Sequence, residues 1–181
     1  MIYFGSPYLQ GNIGGAWNRF CFLVPDGDWI CLVDADAMFL QPDYGSFVED
    51  IAENSDYDLI GCFTNRVRNL RQCHDNEFSD NMDVRIHYDI AKERRVLYGT
   101  TVEPFHCIAG LFMLFRKSLW DKVGGFREHT MNPDVTFSAE AKNAGAKVGI
   151  AKGLYLFHGY RIWQQGREAS INDIAHLEPS K

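Results

Sequence analysis

Apolar positions along this chain fall into two alternating rhythms: short unbroken runs, and residues spaced three to four apart. The run Met1-Ile2-Tyr3-Phe4 opens as a strand, and Gly5-Ser6-Pro7 with Gly11-Asn12-Ile13-Gly14-Gly15 forms a loop of little side-chain bulk. Trp17, Phe20, Cys21 and Val24 then recur at helical spacing, and Pro25 ends the helix. Residues 29–33 are continuously apolar between Asp26-Gly27-Asp28 and a pair of acids, the pattern of a strand buried on both faces. Strand, Gly-rich loop, helix and strand over roughly 30 residues have the size of one βαβ unit.

Beyond this unit, Tyr44, Phe47, Val48 and Ile51 mark a second amphipathic helix, and residues 57–63 read as a further strand. Residues 65–95 are polar and turn-rich at first, with a helix expected over 83–94. A segment this long is either a functional lid or a solvated surface insertion, and it carries His74, His87 and the cluster Arg66, Arg68 and Arg71. A strand is expected over 107–115, and a short helix over 117–123 stopped by Gly124-Gly125. A helix over 134–143 ended by Gly145 follows, then closing strands at 147–150 and 154–157, while the tail after Arg161 has weak patterning and is expected to be partly loose. The alternation predicts one α/β domain over 1–181, with halves at 1–63 and 107–160, an insertion at 64–106 and a tail at 161–181.

Candidate chemistry enters at Asp34-Ala35-Asp36, which ends the buried run. Side chains alternate along a strand, so both acids are expected on one face where the chain leaves the sheet. Their mutual repulsion turns favourable if a divalent cation lies between them; a solvated turn is the plainer alternative. The Gly-rich loop lies at the carboxyl end of its own strand, so loop and acids are expected to face one crevice.

The 181 residues suffice to bury a substantial core, and 46% hydrophobic with 14% aromatic content argues against disorder. A net charge of −6 gives no electrostatic case for a nucleic-acid partner. The 5 cysteines are odd in number and lack metal-type spacing, so they read as reduced core residues. No apolar segment approaches a bilayer span, and no signal peptide or N-x-[ST] sequon occurs; a cytoplasmic protein is the expectation.

Several segments in one order make the pattern specific. Gly5-Ser-Pro7-Tyr8, Asn12-Ile-Gly-Gly-Ala-Trp-Asn18 and Asp34-Ala35-Asp36 resemble the nucleotide-sugar half of a GT-A glycosyltransferase, most similar to glycosyltransferase family 2. Residues 109–117, then Val123-Gly-Gly-Phe-Arg-Glu128, resemble that family's acceptor-side strand and "GGF" turn, with Asn132-Pro-Asp-Val-Thr-Phe137 in the place of its "ED" segment. The likeness runs through Tyr155-Leu-Phe-His-Gly-Tyr-Arg161. It implies a Rossmann-like three-layer α/β sandwich with a mixed, mostly parallel sheet, a nucleoside-diphosphate sugar as donor, and a glycan, lipid or protein hydroxyl as acceptor. Pro7, Tyr8, Asn12, Asn18, Asp34 and Ala35 would then bind the donor nucleotide and sugar, and Asp36, His158 and Asp34 would hold Mn²⁺ or Mg²⁺.

The chemistry gives those positions reasons. A leaving diphosphate must be neutralised, which a divalent ion does as a Lewis acid, and an imidazole ligand tilts the choice toward Mn²⁺. Inversion needs a base opposite the diphosphate; the resemblance gives that role to Asp134 at a helix N-terminus, with Glu128 and Glu140 as fallbacks. Pro133 stands where the family often has Glu, and a helix cap is the alternative role for Asp134. Only one βα unit precedes Asp34, so the nucleotide pocket is expected to be abbreviated and the base it reads is not legible; the full motif order favours a naturally compact enzyme over a fragment. Rival readings are a catalytically inactive nucleotide-sugar-binding module and a haloacid-dehalogenase-like phosphatase. Met38 and the lack of a later Gly-Asp-x-x-x-Asp pair count against the latter.

Overall fold

The computed structural model describes residues 1–159; the expected tail from 161 and the Tyr160-Arg161 end of the last motif lie outside the described residues. Strand β1 (Ile2–Gly5), helix α1 (Ile13–Leu23) and strand β2 (Trp29–Val33) form the expected βαβ unit, β1 pairing in parallel with β2. The chain continues through β3 (Ala37–Phe39), α2 (Tyr44–Glu53), β4 (Leu59–Thr64), α3 (Val84–Tyr98), β5 (Val102–Pro104), β6 (Phe112–Arg116), α4 (Lys117–Val123), α5 (Pro133–Asn143) and β7 (Val148–His158). The seven strands make one sheet of order β1-β2-β6-β4-β7-β3, with β5 also on β7.

The sheet is mixed and only partly parallel, less so than the resemblance implies. Strand β6 lies antiparallel between β2 and β4, and β3 and β5 both run antiparallel to β7. Strands β1, β2, β4 and β7 share one direction, so their carboxyl ends meet at one edge with the start of β6. Crevices that hold ligands form at such edges.

Alternation along β2 sorts the core into layers. Trp29 and Cys31 face α2, where Phe47, Val48 and Ile51 pack; Ile30 and Leu32 face α1, α4 and α5 through Trp17, Cys21, Leu119 and Phe137. Phe126 and Phe137 stack 4.2 Å apart there, each ring contributing about 1.5–3 kcal/mol by burial. Cys21, Cys31, Cys62 and Cys73 are buried free thiols, as their apolar settings predict. Among the described residues no helix is long and apolar enough to cross a membrane.

Three elements differ from the pattern, each for a local reason. The expected strand over 107–115 begins only at Phe112, because the N–H groups of Ile108, Ala109 and Gly110 are taken by the side chains of Ser138, Gln72 and Asp134 rather than by a neighbouring strand. The two expected closing strands are one, bulged where the β4 register jumps from Ala151 to Tyr155. Gly153 in that bulge lies against the backbone carbonyl of Gly99, so any side chain there would collide. Helix α3 runs past the expected 94 to Tyr98 and packs on β7, burying His87, Ala91 and Arg94 at i, i+4, i+7 spacing.

Candidate metal centre

Strand β2 stops at Val33, so the two acids do not share a strand face as the alternation predicts; a turn brings them together instead. The Asp34 N–H extends the β2–β6 ladder by donating to Leu111 O at 3.0 Å, and the Ala37 N–H closes back on Asp34 O at 3.0 Å. Strand β3 then pairs antiparallel with the end of β7, setting Ala37 opposite His158, and Gly159 N–H donates to Asp36 O at 2.7 Å. This places His158 Nε2 3.4 Å from Asp36 Oδ1. One potential ligand atom each from Asp34, Asp36 and His158 lie within 4.8 Å of one another.

The imidazole is oriented from behind. His158 Nδ1 lies 2.8 Å from the carbonyl oxygen of Arg66, which can only accept, so the ring hydrogen sits on Nδ1 and in the neutral ring the Nε2 lone pair faces Asp36. The His158 backbone is clamped as well. Asn65 Oδ1 accepts from its N–H at 2.8 Å, and its carbonyl accepts from Asn65 Nδ2 at 3.3 Å and Arg66 Nε at 2.9 Å. Arg66 Nη2 adds a 2.6 Å bond to Gly159 O. Arg66 is thus a buried strut at 1% exposure, and the end of β4 holds the end of β7.

Burial, then the neighbouring Asp36 and Asp134 carboxylates, push the Asp34 pKa up to about 7, against a lowering contribution from His158. Two carboxylates and one imidazole are a donor set that could hold Mn²⁺ or Mg²⁺, and a backbone carbonyl on Nδ1, here that of Arg66, is what orients a ligating histidine.

Asp134 lies in the first turn of α5, behind Asn132 at the N-cap and Pro133, rather than being the cap itself. Its Oδ2 accepts from Gly110 N–H at 2.8 Å, next to the Leu111 carbonyl that holds Asp34. A side chain at Gly110 would come within 2.7 Å of the Trp17 ring and 3.4 Å of Asp134, so the bare backbone permits this approach. Burial raises the Asp134 pKa, while the N–H groups of Gly110 and Val135 pull it back. The fallback bases are otherwise engaged: Glu128 accepts from Asn12 and Asn18, which hold it below the usual carboxylate range, and Glu140 is 2.7 Å from Arg127.

Of the expected donor-binding residues, Ala35 sits exposed in the turn between the two acids, Pro7 is half-buried and Tyr8 is 71% exposed. Asn12 and Asn18 are spent on packing. Asn12 caps α1 by accepting from Gly15 N–H at 2.9 Å and accepts again from His129 N–H at 3.1 Å; Asn18 accepts from Phe126 N–H at 2.8 Å and Trp120 Nε1 at 3.1 Å and donates to Phe126 O at 2.9 Å. Asn65 and Arg66 are the site residues the pattern does not single out as a clamp; their place directly after a buried strand, at the same edge as the acids, is the signal that could have found them. No protein-family model matches this sequence, and no curated protein matches it either.

Proposed function

We propose that this chain is a divalent-cation-dependent glycosyltransferase, moving a sugar from a nucleoside-diphosphate donor to an acceptor hydroxyl with inversion at the anomeric carbon. The observation that carries the proposal is the convergence of Asp34, Asp36 and an oriented His158 at the carboxyl edge of the sheet, within electrostatic reach of Asp134. The order of sequence segments resembling glycosyltransferase family 2 supports the same reading. Asp34, Asp36 and His158 would hold the Mn²⁺ or Mg²⁺, whose chemistry there is to neutralise a departing diphosphate.

The rest is done by side chains of this chain. Asp134 takes the acceptor hydroxyl's proton on a carboxylate oxygen; its half-buried setting makes it more basic than a solvated aspartate, and Gly110 N–H fixes its plane. The exposed loop around Pro7 and Tyr8, at the carboxyl end of β1, offers an apolar and aromatic surface for a nucleoside.

A screen of nucleoside-diphosphate sugars with Mn²⁺, reading release of nucleoside diphosphate, tests the proposal. Release that depends on Mn²⁺ and is lost in Asp36→Ala is the expected result. Metal-dependent nucleotide affinity with no release for any donor and acceptor class would reassign the chain to a binding module without turnover.

A further inference from the structure

A cavity of about 720 Å³ lies beside the β7 bulge, and none of the candidate metal ligands lines it. At its wall stands Arg94, only 6% exposed, with its guanidinium carbon 3.7 Å above the centre of the Phe63 ring. That stacking fixes the plane of the guanidinium. Arg94 Nε donates to the Lys152 carbonyl at 2.9 Å, and Nη1 to His74 Nδ1 at 3.3 Å, the other nitrogen of His74 facing Asp75 at 3.3 Å. A guanidinium carries five N–H donors, so the two bonds leave the remainder of the fork without an acceptor among the described residues, at a cavity wall.

The other charges of the cavity do not supply that acceptor. Glu103 is engaged by Lys152 at 3.0 Å, and Asp75 by His74. Arg71 and Lys142 also line the cavity, and neither side chain makes a hydrogen bond or ion pair among the described residues. A protein of net charge −6 has thus gathered surplus cations in one concave place. Burial pulls the Arg94 pKa below its ordinary value, and Tyr98 and Asp75 nearby offset this only in part.

We propose that this cavity binds an oxyanion, a phosphate or carboxylate group of a small molecule, seated on the Arg94 fork and flanked by Arg71 and Lys142. A planar guanidinium presenting parallel N–H groups matches two oxygens of such a group. The site is independent of the metal centre and of the transferase reading.

The test is an NMR titration of the full chain in EDTA, following arginine Nε–Hε signals, with inorganic phosphate and separately with glucuronate. Saturable shifts with either anion, weakened about tenfold or more in Arg94→Gln and less in Lys142→Ala, are expected. Phosphate alone identifies a phosphoryl-bearing ligand and glucuronate alone a carboxylate; each supports the site. Should Arg94→Gln fail to fold, the exposed Arg71→Ala and Lys142→Ala decide. Absence of saturable shifts with both anions, affinity indifferent to all of these substitutions, or equal loss in Asp36→Ala overturns the proposal.

Discussion

The carboxyl edge of the sheet and the place where α1 meets the Gly124-Gly125-Phe126 segment each gather acidic side chains, yet they treat charge in opposite ways. Around Asn12, Asn18 and Glu128 every polar group meets a complement: two amides donate to one carboxylate, and their oxygens accept backbone and indole N–H groups. Glu128 is accordingly held below the usual carboxylate range. Around Asp34, Asp36, Asp134 and His158, burial first and then the Asp36 and Asp134 carboxylates push Asp34 up to about 7, against a lowering contribution from His158. Satisfied polar groups hold a fold together, whereas acids and an imidazole gathered at a sheet edge, one carboxyl raised by burial, are the donor set a cation site uses.

The comparison breaks most visibly at Asp134. In the Asp134→Asn variant, transfer should fall about 10²–10⁴-fold with Mn²⁺ affinity nearly intact, because the amide keeps the Gly110 contact but takes no proton. Near-normal turnover, a loss that merely follows thermal stability, or a retained anomeric configuration in the wild-type product would remove Asp134 from the role of base.

Next in size is the pH dependence of the metal-free protein. Asp34 binds its proton more tightly folded than unfolded, so its stabilisation is full below the ordinary carboxylate range and is lost as pH rises through about 7. The loss should amount to roughly 2–4 kcal/mol at most, and Mn²⁺ should restore stability above pH 7. Denaturant titrations at pH 5 and pH 8, with EDTA and with Mn²⁺, measure it; identical midpoints in EDTA would mean that the edge is already neutralised.

On the other side of the comparison, Asn12→Ala should cost about 1–2 kcal/mol of stability through the lost α1 cap and leave Mn²⁺ affinity unchanged. A metal-binding defect in this variant, measured by calorimetry, would tie the two regions together. The smallest effect concerns the segment expected to be a lid. Residues 64–66 and α3 are fastened to β7, so hydrogen exchange should slow on adding donor sugar and Mn²⁺ only near the exposed residues 80–82. Strong, equal protection across 65–95 in both states would make it a rigid insertion.

Local periodicity carried much of the fold. The first βαβ unit, α2 and α4 follow directly from residue spacing, because each buries its apolar face against the neighbouring layer. Long-range pairing was not legible. Nothing in residues 107–111 reveals that Ser138, Gln72 and Asp134 will take their N–H groups, and nothing near Asp36 reveals that β3 will pair with β7. Asp34, Asp36 and His158 were nameable from order and residue type, yet the turn that gathers them was not. Arg66 lies in a segment that reads equally as a lid or a solvated insertion, and only its bonds to the end of β7 bury it, as packing on Phe63 buries Arg94.

Strand β7 is flanked by β4 on one side and by β3 and β5 on the other, and it carries His158 at its far end. A ribosome making this chain releases Asp34 and Asp36 early and the histidine late, an interval on the order of ten seconds at typical elongation rates. Until then β4 has an open edge and the acids lack their third partner. Capture of a cation by all three residues would therefore mark the moment at which the sheet closes, and a nascent chain halted before Val148 would be prone to edge-to-edge association.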